Sequence, residues 1–176
     1  MSKSIFLRKS WDMKRETILI VNLPAHLSDY CRHELGCDKQ GRVILKRGHD
    51  IGKHIYSHML VSDLPVRSNS MANAVAFVIP VTAANRYTLV SRFLYVSRWG
   101  EEKIKDYIET EFNQRMRLLF EAGYRKKYTQ KEIIEAILDA YNIKNTAVSY
   151  EAVKKSDYRY KKKTRKIIFD DIKIVD

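Results

Sequence analysis

An α+β fold is what this 176-residue sequence predicts, with a mixed strand-and-helix region up to residue 97 followed by a helical unit. Three observations carry that expectation. Thr17-Ile-Leu-Ile-Val-Asn-Leu23 is an apolar, largely β-branched run of buried-strand character. Between Glu101 and Ala122, apolar residues recur at helical spacing. Thr129-Gln-Lys-Glu132 then has the spacing of a capping box directly ahead of a second apolar stripe.

The elements follow in order. Residues 1–16 scatter Lys3, Arg8, Lys9, Lys14 and Arg15 among isolated apolar residues, including Phe6 and Trp11. They read as a basic arm without the continuous apolar core of a secretory signal. After the strand at 17–23, Pro24 opens a helix over Ala25–Leu35, with Leu27, Tyr30, Cys31 and Leu35 on one face and Gly36 as its stop. Arg42–Lys46 and His54–Val61 are expected as strands joined by a glycine-containing loop, and four of the six glycines lie between Gly36 and Gly52. Ser62–Asn73, with Pro65, Ser68, Asn69 and Ser70, reads as a loop. Ala74–Val81 and Tyr87–Ser97 are strand-like, though the second also suits a helix.

The helical unit spans 98–156. Its first helix carries Ile104, Tyr107, Ile108, Phe112, Met116, Leu119 and Phe120 inward, with Glu101 and Glu102 complementing the dipole and Gly123 as a stop. The second buries Ile133, Ile134, Ile137, Leu138 and Tyr141, and Asn142 is suited to a left-handed stop. A third, short helix is capped by Asn145 or Thr146 and ends near Ser156, with Val148, Ala152 and Val153 inward. Residues 157–176 form a basic, tyrosine-containing segment, whose apolar Ile167-Ile168-Phe169 and Ile172–Val175 suggest a docked strand or part of a wing.

Composition narrows the function. Apolar residues make up 45% of the chain, enough for a core without a disulfide or metal staple. The longest uncharged apolar stretch, 74–84, is broken by Pro80 and falls well short of the ~20 residues a membrane span needs. Two cysteines, Cys31 and Cys37, suit a reducing compartment, so a cytoplasmic address is expected. A net charge of +12 favours polyanionic partners, nucleic acid foremost. That charge is uneven. Residues 98–143 hold 9 Lys/Arg and 9 Asp/Glu, whereas 144–166 hold 9 and 2.

The segment from Thr129 to Tyr150, a capped helix, a short turn and a second helix, resembles the helix-turn-helix superfamily, whose first helix often opens Thr-Gln-x-Glu-Ile-x-x-Ala as here. Taken over 129–156, the resemblance covers about a sixth of the chain, with a first helix a turn too long and no glycine in the turn. It implies DNA as partner and places Asn145, Thr146, Ser149 and Tyr150 early on the second helix of the pair. The polar groups among them suit base edges or phosphates. Lys154, Lys155, Arg159, Lys161, Lys162, Lys163, Arg165 and Lys166 follow, interleaved with Tyr158 and Tyr160. Cationic groups neutralise phosphates and tyrosines stack on bases. The expected function is a non-enzymatic nucleic-acid-binding protein, with DNA or RNA held by this cluster, acting as a regulator or as an accessory of replication, packaging or mobile-element maintenance.

All five histidines lie between residues 26 and 58 with both cysteines, a concentration of zinc-ligating chemistry at poor spacing. If 54–61 is a strand, His54 and His58 share a face but lie ~13 Å apart, too far to chelate one ion. Gly48-His-Asp-Ile-Gly52-Lys53 is one residue short of a phosphate loop and lacks its following hydroxyl. Asp29, Glu34, Asp38, Asp50 and Asp63 could assemble a metal nuclease with a lysine such as Lys53, but exposed carboxylates are the expected meaning, and no cofactor, metal or enzymatic role is expected. The other reading is a subunit of a larger assembly or virion, its terminal arms contacting neighbours, since Trp11 with Phe6 in the arm and Tyr124-Arg-Lys-Lys-Tyr128 are not easily buried and have interface composition.

Overall fold

A computed structural model describes residues 17–66 and 73–173, and the architecture is α+β. Strand β1 (Thr17–Asn22) pairs antiparallel with β4 (Ala74–Ile79), and short β2 (Val43–Ile44) flanks β4 in parallel, giving the order β1-β4-β2. The register sets which residues of these continuous apolar runs face the core. Thr17 faces Ile79, Leu19 faces Phe77 and Val21 faces Val75, and all six are buried on one side of the sheet. A separate two-stranded ribbon pairs β3 (Met59–Ser62) with β5 (Phe93–Val96).

Helix α1 (Ala25–Leu35) ends at Gly36, whose φ of 78° only glycine adopts cheaply. Its face of Leu27, Tyr30, Cys31 and Leu35 is buried as the spacing predicts. The ring of Tyr30 meets Phe112 edge-on at 5.3 Å. Phe112 belongs to α4 (Arg98–Arg125), which lies against both α1 and α2 (Asp50–Ser57). The end of β1 is fastened to the start of α4, where Asn22 N donates to Glu101 Oε1 at 2.5 Å. One hydrophobic core runs from Leu19 to Val153, so the strand region and the helical unit share their interior. Among the described residues, no helix is long and apolar enough to cross a membrane.

Several sequence expectations are corrected. His54–Val61 is not a strand: α2 runs through Ser57 and β3 begins at Met59. The helix wins because His49 Nδ1 caps Ile51 N at 3.3 Å and Ile51 and Ile55, one turn apart, are both buried. The strand expected over 42–46 shortens to Val43–Ile44, although Leu45 N still donates to Val78 O at 2.9 Å. Tyr87–Ser97 divides between α3 (Arg86–Ser91) and β5.

Gly123 does not stop α4, which continues to Arg125. A Cβ at Gly123 would lie 2.6 Å from both Cδ1 and Cγ1 of Ile133, so glycine here lets α5 (Gln130–Ala140) approach closely. The obstruction is a side chain rather than backbone, though a buried, β-branched one that shifts at some cost. Alanine is favoured over glycine within a helix by about 1 kcal/mol, which offsets part of that cost. Gly123→Ala is therefore expected to change stability by about 1 kcal/mol or less, read from urea unfolding midpoints.

The third helix is not short. Helix α6 runs from Ala147 to Lys173, so the stretch from 157 continues it rather than forming a strand or wing. Residues 1–16, 67–72 and 174–176 lie outside the described residues, and with them the basic arm, Trp11 and the close of the apolar tail.

Candidate nucleic-acid interface

The helical unit is built from α4, α5 and α6. Thr129 caps α5, its hydroxyl accepting from Glu132 N at 3.3 Å while the Glu132 carboxylate accepts from Thr129 N at 2.7 Å. Ile133, Ile134, Ile137, Leu138 and Tyr141 are buried as a face. Asn142, with φ 51°, turns the chain after α5. Ile143 plugs the core and Lys144 N donates to Asp29 Oδ2 at 3.2 Å, tying the turn to α1.

Helix α6 begins at a Thr146 cap, whose Oγ1 accepts from Ser149 N at 3.1 Å and donates to Ser149 Oγ at 3.0 Å. This occupies two of the four side chains expected to read bases. Ser149 is 1% exposed, and Tyr150 is partly buried against the core. Asn145 remains open to solvent. Val148, expected inward, is 72% exposed, because the buried stripe of α6 passes through Ser149, Val153, Ser156 and Asp157 instead.

Half-way along α6, a polar knot joins the three helices. Asp157 is 1% exposed, and its Oδ2 accepts from Tyr124 Oη at 2.8 Å, Gln130 Nε2 at 2.6 Å and Lys161 Nζ at 2.8 Å. Lys161 also donates to Tyr124 Oη at 2.9 Å and lies 4.3 Å from the centre of its ring. Burial works to lower the Lys161 ammonium, but Asp157 and Tyr124 together hold it above its ordinary value. Burial pushes the Tyr124 phenol up. At the residue before Asp157, Ser156 Oγ donates to Asn113 Oδ1 at 2.5 Å.

The knot sorts the basic residues. Lys161 is neutralised by Asp157, Arg159 pairs with Glu109 at 3.4 Å and Lys154 with Glu151 at 3.0 Å. Lys155 and Lys162 are exposed with no carboxylate partner among the described residues, and Tyr158 stands between them, 65% exposed. The side chains of Lys163 and Arg165, with those of Tyr160 and Lys166, lie outside the described ones, although their backbone is helical.

The contacts of Lys161 and Asp157 with Tyr124 and Gln130 bring the α4–α5 turn alongside α6 at this level. Arg125, Lys126 and Lys127 on that turn are exposed, without carboxylate partners among the described residues, and Tyr128 beside them is exposed too. Charge counting by segment hides these cations in a neutral stretch. The Tyr-Arg-Lys-Lys-Tyr pattern is the signal that marks them.

The histidine and cysteine region shows different chemistry. On α2, His54 and His58 are one turn apart with ring centres 4.7 Å apart, where a strand would have separated them. No group of three or more His, Cys, Asp or Glu able to hold a metal occurs among the described residues. Cys31 is buried and its thiol is pushed up to about 12 by burial, which leaves it unreactive, while Cys37 is exposed. The chain matches no known family model, no curated protein and no solved structure, so the meaning of this basic surface rests on its own geometry.

Proposed function

We propose that this chain is a non-enzymatic nucleic-acid-binding protein that grips the phosphate backbone, of DNA foremost, with the solvent face of α6 and the adjoining α4–α5 turn. The observation that supports it is the cluster of unpaired cations at the level of the Asp157 knot. Lys155 and Lys162 stand on α6 either side of the exposed Tyr158, and the exposed Arg125, Lys126, Lys127 and Tyr128 follow Tyr124, which bonds to Asp157; none of these cations has a carboxylate partner among the described residues. Unpaired cations have no internal partner to give up when they meet a phosphate, unlike Lys161 or Arg159. Burial of Ser149 and use of Thr146 as a cap leave little to read bases at the start of α6, so the binding is backbone-directed and weakly sequence-selective. Such binding suits an accessory of replication, packaging or mobile-element maintenance better than a site-specific regulator.

Five such contacts give a slope of log affinity against log salt of about −4.5 on duplex DNA. Fluorescence anisotropy of a labelled duplex, titrated at several salt concentrations, measures it. The double variant Lys155→Glu and Lys162→Glu reduces the slope to about −2.7 or less, because two contacts are lost and two repulsions added. Both residues are exposed, so the fold is kept. An unchanged slope in the double variant, or no binding by the native chain, defeats this reading.

A second reading, a subunit of a larger protein assembly, is favoured by one observation. The ribbon β3–β5 exposes Leu60, Val61 and Phe93, an apolar surface of the kind partners cover. Self-association that persists at high salt, with no DNA binding, would favour it.

A further inference from the structure

Where α2 meets the start of α4, four aromatic rings follow one another. Tyr107 stacks on His54 with ring centres 4.3 Å apart and planes 16° from parallel. His54 meets His58 edge-on at 4.7 Å, and His58 meets Trp99 edge-on at 5.5 Å. Trp99 ends the series and is 62% exposed, on the first turn of a helix whose core packing begins at the next residue.

Gly100 sets how closely the two helices meet. It is buried, and a Cβ there would lie 2.9 Å from Val96 Cγ1 and 3.4 Å from His58 Cβ, so the start of α4 is pressed against the end of α2. The backbone that carries the indole is therefore held in place, and His58 borders one side of the ring. Lys103 Nζ lies 5.8 Å from its ring centre. Lys103, one turn further on, has no carboxylate partner among the described residues, whereas Lys53 and Arg98 nearby pair with Asp50 and Glu102. Burial, His54 and Lys103 together lower the basicity of His58, so the ring behind Trp99 is neutral at neutral pH.

An exposed indole on a fixed backbone, with the Lys103 ammonium beside it, fits a ligand with an aromatic face and a negative charge on the same unit. Unpaired nucleotides have that chemistry, and stacking on an aromatic side chain is indifferent to sequence. We propose that the Trp99 ladder is a stacking platform for single-stranded nucleic acid, with an unpaired base laid on the indole and its phosphate met by Lys103. The proposal shares its ligand class with the reading above but uses a separate surface. Trp99 and Arg125 lie at opposite ends of α4, about 40 Å apart.

The sequence holds two tryptophans, so Trp11→Phe leaves Trp99 as the sole indole reporter in the full chain. Its emission is followed while oligothymidine of about ten nucleotides is added, beside a blunt duplex and inorganic polyphosphate. Saturable quenching by the single strand, with little from the other two, is expected. Trp99→Ala weakens single-strand affinity by about 5- to 150-fold in anisotropy, while Trp99→Phe keeps most of it. Circular dichroism on each variant confirms the fold, which the exposed position of Trp99 should spare.

The charge-reversed α6 variant separates the two surfaces. Quenching that survives Lys155→Glu and Lys162→Glu supports the platform whatever happens to duplex binding. Duplex binding with no quenching overturns the platform and leaves the α6 reading standing. Equal quenching by polyphosphate overturns it as well, since charge alone then accounts for the change.

Discussion

Asp157→Ala is expected to lower folding stability by about 3 kcal/mol, because it removes the acceptor shared by three donors inside the helical unit. The carboxylate is 1% exposed and receives Tyr124 Oη, Gln130 Nε2 and Lys161 Nζ on a single oxygen. Lys161 is partly exposed and can swing out to water, so its share of the loss is small. Tyr124 and Gln130 are half-buried and turned inward, and each loses a hydrogen bond to a charged acceptor, worth about 1.5–3 kcal/mol. Asp157→Asn keeps the shape and one acceptor oxygen, so it should cost roughly half as much. Urea unfolding measures both. A cost below about 1 kcal/mol for the alanine variant, within the range of ordinary surface substitutions, would show that apolar packing alone joins the helices. The same knot sets the α4–α5 turn beside α6. Either substitution should therefore weaken duplex binding under conditions where the variant remains folded, although none of the proposed phosphate contacts has been changed.

Local signals made much of this fold legible. The runs that became β1 and β4 are continuous apolar stretches too short for helices, α1 and α5 show their buried faces by spacing, and the Thr129–Glu132 box fixes the start of α5 by chemistry within four residues. What stayed hidden depended on partners distant in sequence or on elements too short to show a period. Helix α2, with eight residues, and β3, with four, share one apolar run, so neither completes a pattern that excludes the other. Gly123 carries the same signal whether it stops a helix or admits a neighbour, and only the position of Ile133 decides. Beyond Ser156 the lysines of α6 give little apolar rhythm, and the charge run suggested an end to the helix where there is none.

The candidate site divides along the same line. That residues 144–166 are basic is a fact of composition, but which cations remain unpaired is a fact of the fold. The Asp157–Lys161 pair is visible at helical spacing once α6 is known to continue, whereas Arg159 finds Glu109 fifty residues away. Ser149 shows the cost of assigning a side chain from its place in a motif. Its cap partner Thr146 turns it inward, where no base can reach.

Gly52→Ala is expected to cost about 3 kcal/mol, making Gly52 the least replaceable glycine of the described fold. A Cβ there would lie 2.0 Å from the carbonyl oxygen of Lys46 and 3.0 Å from its carbonyl carbon. Neither atom belongs to a flexible side chain. The Lys46 carbonyl accepts from His49 N at 3.2 Å, and the preceding Leu45 is buried and bonded to Val78 O at 2.9 Å, so the obstruction is anchored to the sheet. Relief requires α2 to move outward by about 1 Å or more, and α2 is seated by Ile51 and Ile55, both buried. Two effects act the other way. Alanine gains about 1 kcal/mol of helix propensity, and it restricts the unfolded chain. Neither is large enough to offset a displaced helix. A loss of 3 kcal/mol corresponds to a fall in Tm of about 6–12 °C for a chain of this size. The shift of α2 should also loosen His54 and His58 from Tyr107 and Trp99, altering the indole emission of the Trp11→Phe background before the protein unfolds. Gly123→Ala is the control, a buried helix contact with a side chain that can yield. If the two variants proved equally stable, α2 would not rest on the Lys46 carbonyl, and the glycine at 52 would have no packing reason to be there.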